Sequence, residues 1–155
     1  MKIGDILNVQ GKGWIGEVIR WFTKSKYSHT ACYIGDGKIV ESDFGGVMIS
    51  SVKKYDGKFD VFRHRFATET QLADAVLWMK GQVGKGYDYL GLIGVGLAII
   101  GRKGRNCFDD KNRYWCSELV ADGYINSGIV LCVDPDTYKV SPQDLADCGF
   151  LTKIE

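Results

Sequence analysis

Residues 27–43 read YSHTACYIGDGKIVESD, two runs of strand-forming residues on either side of a glycine-rich centre. The centre, Gly35-Asp36-Gly37, is a strong turn signal between two hydrophobic runs. The sequence therefore predicts a β-hairpin with strands His29–Ile34 and Lys38–Asp43. Such a hairpin favours an antiparallel sheet as the first unit of the fold.

The length of this turn decides which side chains share a face. A three-residue turn over Gly35-Asp36-Gly37 would place Ala31 opposite Glu41 and His29 opposite Asp43. His29 and Glu41 would then be diagonal neighbours on one face, roughly 7–8 Å apart at the backbone. A two-residue turn would carry Glu41 to the other face, because side chains alternate along a strand.

Outward from the hairpin, hydrophobic periodicity predicts the other elements. The predicted strands are Asp5–Val9, Val47–Ser51, Phe59–His64 and Phe150–Ile154, and the predicted helices are Trp14–Phe22, Glu69–Gln82, Tyr114–Asn126 and one that begins at Ser141-Pro142. Thr68 and Ser141 are the expected N-cap residues. This pattern predicts an α+β fold, a small antiparallel sheet or barrel flanked by helices, in one domain over residues 1–155.

Charge and hydropathy exclude several classes of function. The 155-residue chain carries 20 Lys and Arg against 19 Asp and Glu, which is not the basic footprint of a nucleic-acid binder. Leu90–Ile100 is apolar, but a membrane span needs about 20 residues, so we predict a helix that packs one face on the domain core. Its glycines favour a position that lines or borders a ligand cleft, and the alternative is an ordinary core helix. The first residues, MKIGDILNV, lack the pattern of a signal peptide. We therefore expect a cytoplasmic location by default, which leaves other export routes open.

The cysteines show neither metal-site spacing nor an even count. There are five of them, at positions 32, 107, 116, 132 and 148, and none forms a CxxC pair. With only two histidines besides, the sequence predicts no metal and no cofactor. The odd count favours reduced thiols over a fully paired disulfide framework. We expect Cys32 to be buried. Three basic residues precede Cys107, so we expect it to be the main competitor of Cys116 in thiol reactivity.

Cys116 is the candidate nucleophile. It lies at the start of the predicted helix in Tyr114–Val120, YWCSELV, where unpaired N–H groups and the helix dipole favour a thiolate and could stabilise an oxyanion. The alternative is a buried, unreactive cysteine.

His29 is the candidate base, and the alternative is a structural or exposed strand histidine. His64, between two arginines, looks like a solvated strand end. Glu41 could orient the imidazole of His29, and Asp43 is its competitor for that role.

Several short motifs, taken in order, resemble a known family. They are Gly4-Asp5-Ile6, Tyr27-Ser28-His29, Val40-Glu41-Ser42 followed by Gly46-Val47, Gly86-Tyr87-Asp88, and Tyr114–Val120. Together they resemble the permuted papain-like amidases, the YiiX/YaeF-type branch of the NlpC-related cysteine peptidases.

The resemblance implies a circularly permuted papain-like fold, in which the histidine strand precedes the cysteine helix. It implies Cys116 as nucleophile, His29 as general base and Glu41 as the third, orienting residue. It also implies that Tyr87 lies near the thiolate and helps the backbone N–H of Cys116 to bind the oxyanion.

The function implied is a cysteine amidase or peptidase that works through an acyl-enzyme. Cell-wall-type peptides and acylated amino compounds are the candidate substrates, and the family suggests a bacterial or phage context. One alternative is a lipid-acting thiol acyltransferase or phospholipase, with Leu90–Ile100 facing an acyl chain, so lipid contact stays open. Another is a binding module that keeps the fold without catalysis. Nothing in the sequence indicates the oligomeric state.

Overall fold

A six-stranded antiparallel sheet, against which helices pack, is the centre of the described part of the fold. A computed structural model describes residues 1–10, 26–55, 57–87 and 112–154. The predicted helix Trp14–Phe22, the segment Leu90–Ile100 and Cys107 lie outside the described residues. Within them, the α+β class predicted from the pattern is confirmed.

The described residues contain eight β-strands and three α-helices. The strands are β1 (Ile6–Val9), β2 (His29–Gly35), β3 (Lys38–Asp43), β4 (Gly46–Ser51), β5 (Phe59–His64), β6 (Gly86–Tyr87), β7 (Arg113–Tyr114) and β8 (Leu151–Lys153), and the helices are α1 (Glu69–Lys80), α2 (Cys116–Asn126) and α3 (Pro142–Asp147). Six strands form the antiparallel sheet in the order β4-β3-β2-β1-β5-β8. The short β6 and β7 pair in parallel beside it.

The two faces of the sheet bury different partners. Cys32 and Val40 lie on the face that packs against α1 and α2, in a core shared with Leu119. Cys32 is wholly buried, as predicted. The other face carries a smaller cluster around Ala31, which the turn Val52–Tyr55 covers. The hairpin β2–β3 therefore presents alternate side chains to two different environments.

The hairpin has the shorter of the two turns that the sequence left open. Gly35 pairs with Lys38, which leaves a two-residue turn over Asp36 and Gly37. Both residues have left-handed backbone, with φ of 51° and 68°, and this is the geometry of a turn that matches the twist of paired strands. Of the two turn lengths left open by the sequence, the two-residue turn is the one formed, because the Asp-Gly pair satisfies the turn by itself.

A β-bulge restores the register that the shorter turn would have changed. The pairing shifts by one residue between Tyr33 and Gly35, which leaves Ile34 unpaired. Beyond the bulge, Ala31 pairs with Glu41. The bulge adds the residue that the turn lacks, so Glu41 lies on the same face as Ala31 and His29. The expectation that a two-residue turn would carry Glu41 to the other face is therefore wrong.

Side-chain caps position the helices. Thr68 Oγ1 accepts a hydrogen bond from Gln71 N at 3.2 Å, and Gln71 Oε1 accepts one from Thr68 N at 3.0 Å. This reciprocal capping box starts α1. Ser141 Oγ accepts a hydrogen bond from Asp144 N in the same way at the start of α3. Both predicted N-caps are confirmed.

His64 is a structural residue, and its predicted solvent exposure is wrong. Its side chain is buried at the end of β5. The Nδ1 atom accepts hydrogen bonds from Ala67 N at 2.9 Å and Phe66 N at 3.2 Å, so the proton lies on Nε2, which donates to Val130 O at 2.9 Å. The imidazole thus links the loop after β5 to the loop that contains Val130. The arginines on either side of His64 in the sequence gave no sign of this role.

Candidate active site

The cysteine helix begins two residues later than its hydrophobic pattern suggested. Arg113 and Tyr114 pair with Gly86 and Tyr87 as β6–β7 instead of joining the helix. Cys116 therefore becomes the first residue of α2. The backbone N–H groups of a first helical turn have no partner within the helix, and the helix dipole is positive there. The thiol consequently lies where a negative charge is favoured.

A buried hydrogen bond ties this helix start to the strand that carries Glu41. Ser42 Oγ donates to Tyr114 O at 2.6 Å. Ser42 follows Glu41 in β3, and Tyr114 stands two residues before Cys116. The bond therefore fixes the cysteine helix against the hairpin at the point where the two meet.

Two further buried side chains fix the first turn of α2. Ser117 Oγ donates to Val140 O at 2.7 Å, which anchors the turn to the segment before α3. The Glu118 carboxylate accepts a hydrogen bond from Trp115 N at 3.2 Å. These bonds hold the backbone around the thiol from two sides.

His29 and Glu41 are in direct contact. His29 Nε2 lies 2.9 Å from Glu41 Oε2. The carboxylate is wholly buried, and the imidazole is 15% exposed. Because Nε2 is bound to Glu41, Nδ1 is the ring nitrogen left for Cys116. The carboxylate thereby fixes the orientation of the ring.

The three groups are electrostatically coupled. Burial opposes a charged imidazole, but the charge of Cys116 and hydrogen bonds with Cys116 and Glu41 outweigh it and raise the pKa of His29 to about 10. Burial would raise the pKa of Glu41, yet His29 and Lys54 hold it well below its usual range. The surroundings therefore favour the charged form of the imidazole, with the Glu41 carboxylate as its contacting anion.

Lys54 and Tyr55 also contact Glu41, in addition to a hydrogen bond from Ser50, and the sequence gave no sign of these contacts. Lys54 Nζ lies 2.8 Å from Glu41 Oε1 and 2.6 Å from Asp43 Oδ2. The Tyr55 hydroxyl donates to Glu41 Oε2, and its ring lies 5.7 Å from that of His29. Burial and the charge of Glu41 raise the pKa of Tyr55 well above its usual range, so the hydroxyl stays a donor.

Asp43 takes a different place from Glu41. Its carboxylate binds Lys54 and accepts a hydrogen bond from Phe44 N at 2.8 Å. Among the described residues it forms no hydrogen bond with His29. Glu41 is therefore the carboxylate in contact with the ring, as the resemblance implied. Asp43 shares Lys54 with Glu41 and acts on His29 through its charge without contact.

Tyr87 lies beside the residue that precedes the nucleophile candidate. It packs against Trp115 and has its ring 5.6 Å from that of Phe44. Trp115 is itself buried, and its indole N–H has no hydrogen-bond partner in the part of the chain described. Tyr87 and Trp115 thus form an aromatic wall next to the start of α2.

Neither a metal cluster nor a membrane helix occurs in the described ranges. There, no three His, Cys, Asp or Glu side chains come together in a way that could hold a metal ion. No helix among these residues has the length and apolar character needed to cross a membrane.

The chain order and the fold define a class. A sheet that carries the histidine and precedes the cysteine helix is the order that a permuted papain-like fold requires. The family described as permuted papain-like amidase enzyme, YaeF/YiiX, C92 family, matches residues 1–155. The chain therefore belongs to the permuted papain-like amidase family.

Two relatives give the extent of the similarity. The chain is 27% identical over 175 residues to Probable lipoprotein peptidase YaeF of Escherichia coli (strain K12). That match covers 94% of this chain and 62% of the relative. The crystal structure of metalloprotein YiiX from Escherichia coli O157:H7 superposes with a TM-score of 0.72 at 21% identity, and covers 99% of this chain and 96% of that one. The second match shows the shared fold.

Proposed function

We propose that this protein is a cysteine amidase or peptidase, with residues 1–155 forming one catalytic domain. The observation that carries the proposal is the 2.9 Å contact between His29 and Glu41, which leaves the other ring nitrogen for Cys116. Family membership supports amide chemistry. The burial of Glu41 and its bonds to Lys54 and Tyr55 support an orienting role for this carboxylate.

The chemistry follows from these positions. The Cys116 thiolate attacks the carbonyl carbon of an amide, and the electron pair moves to the carbonyl oxygen. The backbone N–H of Cys116, with help from Tyr87, stabilises this oxyanion. His29 then gives its proton to the leaving amine, and an acyl-enzyme remains. Finally His29 takes a proton from water, the resulting hydroxide attacks the thioester, and the thiolate is regenerated.

The comparison with a known relative also suggests a class of substrate. The relative named a probable lipoprotein peptidase supports a peptide bond as the target. We propose cell-wall-type peptides and acylated amino compounds as the first substrates to test. The apolar segment on which a lipid substrate would depend lies outside the described residues, so no observation favours the lipid reaction over the amide reaction.

A substrate panel tests the proposal. The protein is incubated with N-acyl amino-acid amides, short cell-wall peptides and phospholipid vesicles, and acid-quenched samples are analysed by intact mass. We expect amide turnover with an acyl adduct on Cys116, and a loss of at least about 100-fold in His29→Ala, the lower end for general acid–base catalysis. Cys116→Ala should be inactive.

Cys32→Ala is the matched control, because Cys32 is a buried thiol on the opposite face of β2. It should retain the activity of the unaltered protein. Turnover of phospholipid alone would favour the lipid reaction instead. Amide hydrolysis that survives in Cys116→Ala would contradict the proposed nucleophile.

A further inference from the structure

Two cysteines outside the proposed active site lie close together. Cys132 follows the end of α2, and Cys148 caps the end of α3. Their Sγ atoms are 2.7 Å apart, and Cys132 N–H donates to Cys148 Sγ at 3.2 Å. We propose that Cys132 and Cys148 are a disulfide-forming site, closed by a small-molecule disulfide oxidant.

The geometry requires little movement. A covalent sulfur–sulfur bond is about 2.05 Å long, so the two thiols need to approach by less than about an ångström. The backbone of Cys148 is already anchored, since Leu151 N donates to Cys148 O at 2.9 Å and Cys148 N donates to Leu145 O at 3.3 Å. Bond formation can therefore occur without rearrangement of α3.

The two thiols differ in the way that an attacking and a resolving cysteine differ. Cys132 is exposed, whereas Cys148 is buried. Burial opposes ionisation of Cys132, but hydrogen bonds from Cys148 and from the backbone N–H groups of Phe150 and Gly149 lower its pKa. Burial and the neighbouring thiol raise the pKa of Cys148. An accessible, stabilised thiolate beside a second thiol is the arrangement of redox-reactive pairs.

The cysteines are oxidised by thiol–disulfide exchange in two steps. The Cys132 thiolate attacks one sulfur of the oxidant disulfide, forms a mixed disulfide and releases one thiolate, which takes a proton from solvent. Cys148 then loses its proton, attacks the Cys132 sulfur and expels the second thiol of the oxidant. The two cysteines lose two electrons in total, and the oxidant disulfide is reduced to two thiols.

The bond would close the segment that supports the cysteine helix. Between the two cysteines lie Val140, whose carbonyl accepts the hydrogen bond from Ser117, and Pro142, whose carbonyl accepts one from Asn8 at 2.8 Å. The cross-link would join the two ends of this segment. We therefore expect oxidation to stabilise the fold around the start of α2, independently of the chemistry proposed for Cys116.

Redox titration tests the site. The full chain is equilibrated with mixtures of oxidised and reduced glutathione, acid-quenched, alkylated and mapped by peptide mass. We expect Cys132 and Cys148 to become linked, and the melting temperature of the oxidised protein to rise by roughly 6–12 °C for a closed loop of this size. Dithiothreitol should reverse both effects, and Cys132→Ser should abolish them.

Cys32→Ala serves as the matched control and should leave the linkage and the melting shift unchanged. The proposal is overturned if both thiols stay open to alkylation in the most oxidising mixture. It is also overturned if Cys132 accumulates as a glutathione adduct that Cys148 does not resolve.

Discussion

Replacement of Glu41 by glutamine tests the electrostatic design of the site most directly. The buried carboxylate binds His29 through Oε2 and Lys54 through Oε1, and accepts the Tyr55 hydroxyl. Glutamine has nearly the same shape, so Glu41→Gln removes the charge with little change in packing. The imidazolium then loses the anion that faces its Nε2 atom.

The expected size of the effect follows from the pKa of His29. Its environment raises that pKa from 6.5 to about 10. A carboxylate in contact with a cationic group raises the pKa of that group by roughly one to three pKa units. Each pKa unit corresponds to about a tenfold change in the protonation equilibrium of the imidazole. The thiolate–imidazolium pair should therefore weaken by at least about tenfold in Glu41→Gln.

Alkylation of Cys116 by iodoacetamide measures this pair without any substrate. Peptide mapping gives the rate at each cysteine separately, which matters because the exposed Cys132 will also react. At pH 6 we expect Cys116 in Glu41→Gln to react at least about tenfold more slowly than in the unaltered protein. Near pH 10 the two rates should converge, because thiols ionise there without an imidazolium.

Asp43→Asn is the matched control for this experiment. It removes a carboxylate bound to the same Lys54 but not in contact with the ring of His29. Its rate at pH 6 should stay within about twofold of the unaltered protein. If Asp43→Asn slows the reaction as much as Glu41→Gln, or if neither variant slows it, the assignment of Glu41 as the orienting carboxylate is refuted.

Further variants test the supporting structure. Tyr55→Phe removes one hydrogen bond to a buried carboxylate and should lower kcat/KM by roughly tenfold or more. His64→Leu leaves one carbonyl and two N–H groups without their partner, and urea unfolding should show a loss of about 2–4 kcal/mol. Gly46→Ala puts a Cβ 2.2 Å from a backbone carbonyl at φ +94°, whereas Gly37→Ala at φ +68° has open space; the first should lower the melting temperature clearly more. Because the pKa of Glu41 is depressed in the folded protein, its contribution to stability is present above the unfolded value and is lost as the pH falls, so Glu41→Gln should flatten the acid limb of the stability curve.

The elements that local patterns specify were predictable. Strand β5 has the predicted bounds, and the Thr68 capping box marks the start of α1. The approach of Glu41 to His29 was implied by the family resemblance, whereas the residues alone left the turn length open and kept Asp43 as a competitor. One extra residue can lie either in the turn or in a β-bulge, and both give the same strand register beyond that point. Hydrophobic alternation along the strands therefore cannot distinguish the two.

Features that depend on tertiary contact could not be read from the pattern. Lys54 and Tyr55 lie on a short turn that only the folded chain brings over Glu41. His64 reads as polar beside its arginines, but backbone groups from distant loops satisfy its ring. Cys132 and Cys148 stand 16 residues apart, and an odd cysteine count says nothing about which two thiols meet.

The bulge at Ile34 has a consequence for changes in chain length. Strand β2 holds one surplus residue, so deletion of Ile34 would leave Tyr33 opposite Ile39 and Ala31 opposite Glu41, as they are now. Strand β3 holds no surplus. Removal of one residue from β3 between the turn and Glu41 would rotate the carboxylate into the apolar layer beneath the helices, where a charge has no partner. Deletion of Ile34 from β2 should therefore be tolerated better than deletion of one residue of β3 between the turn and Glu41.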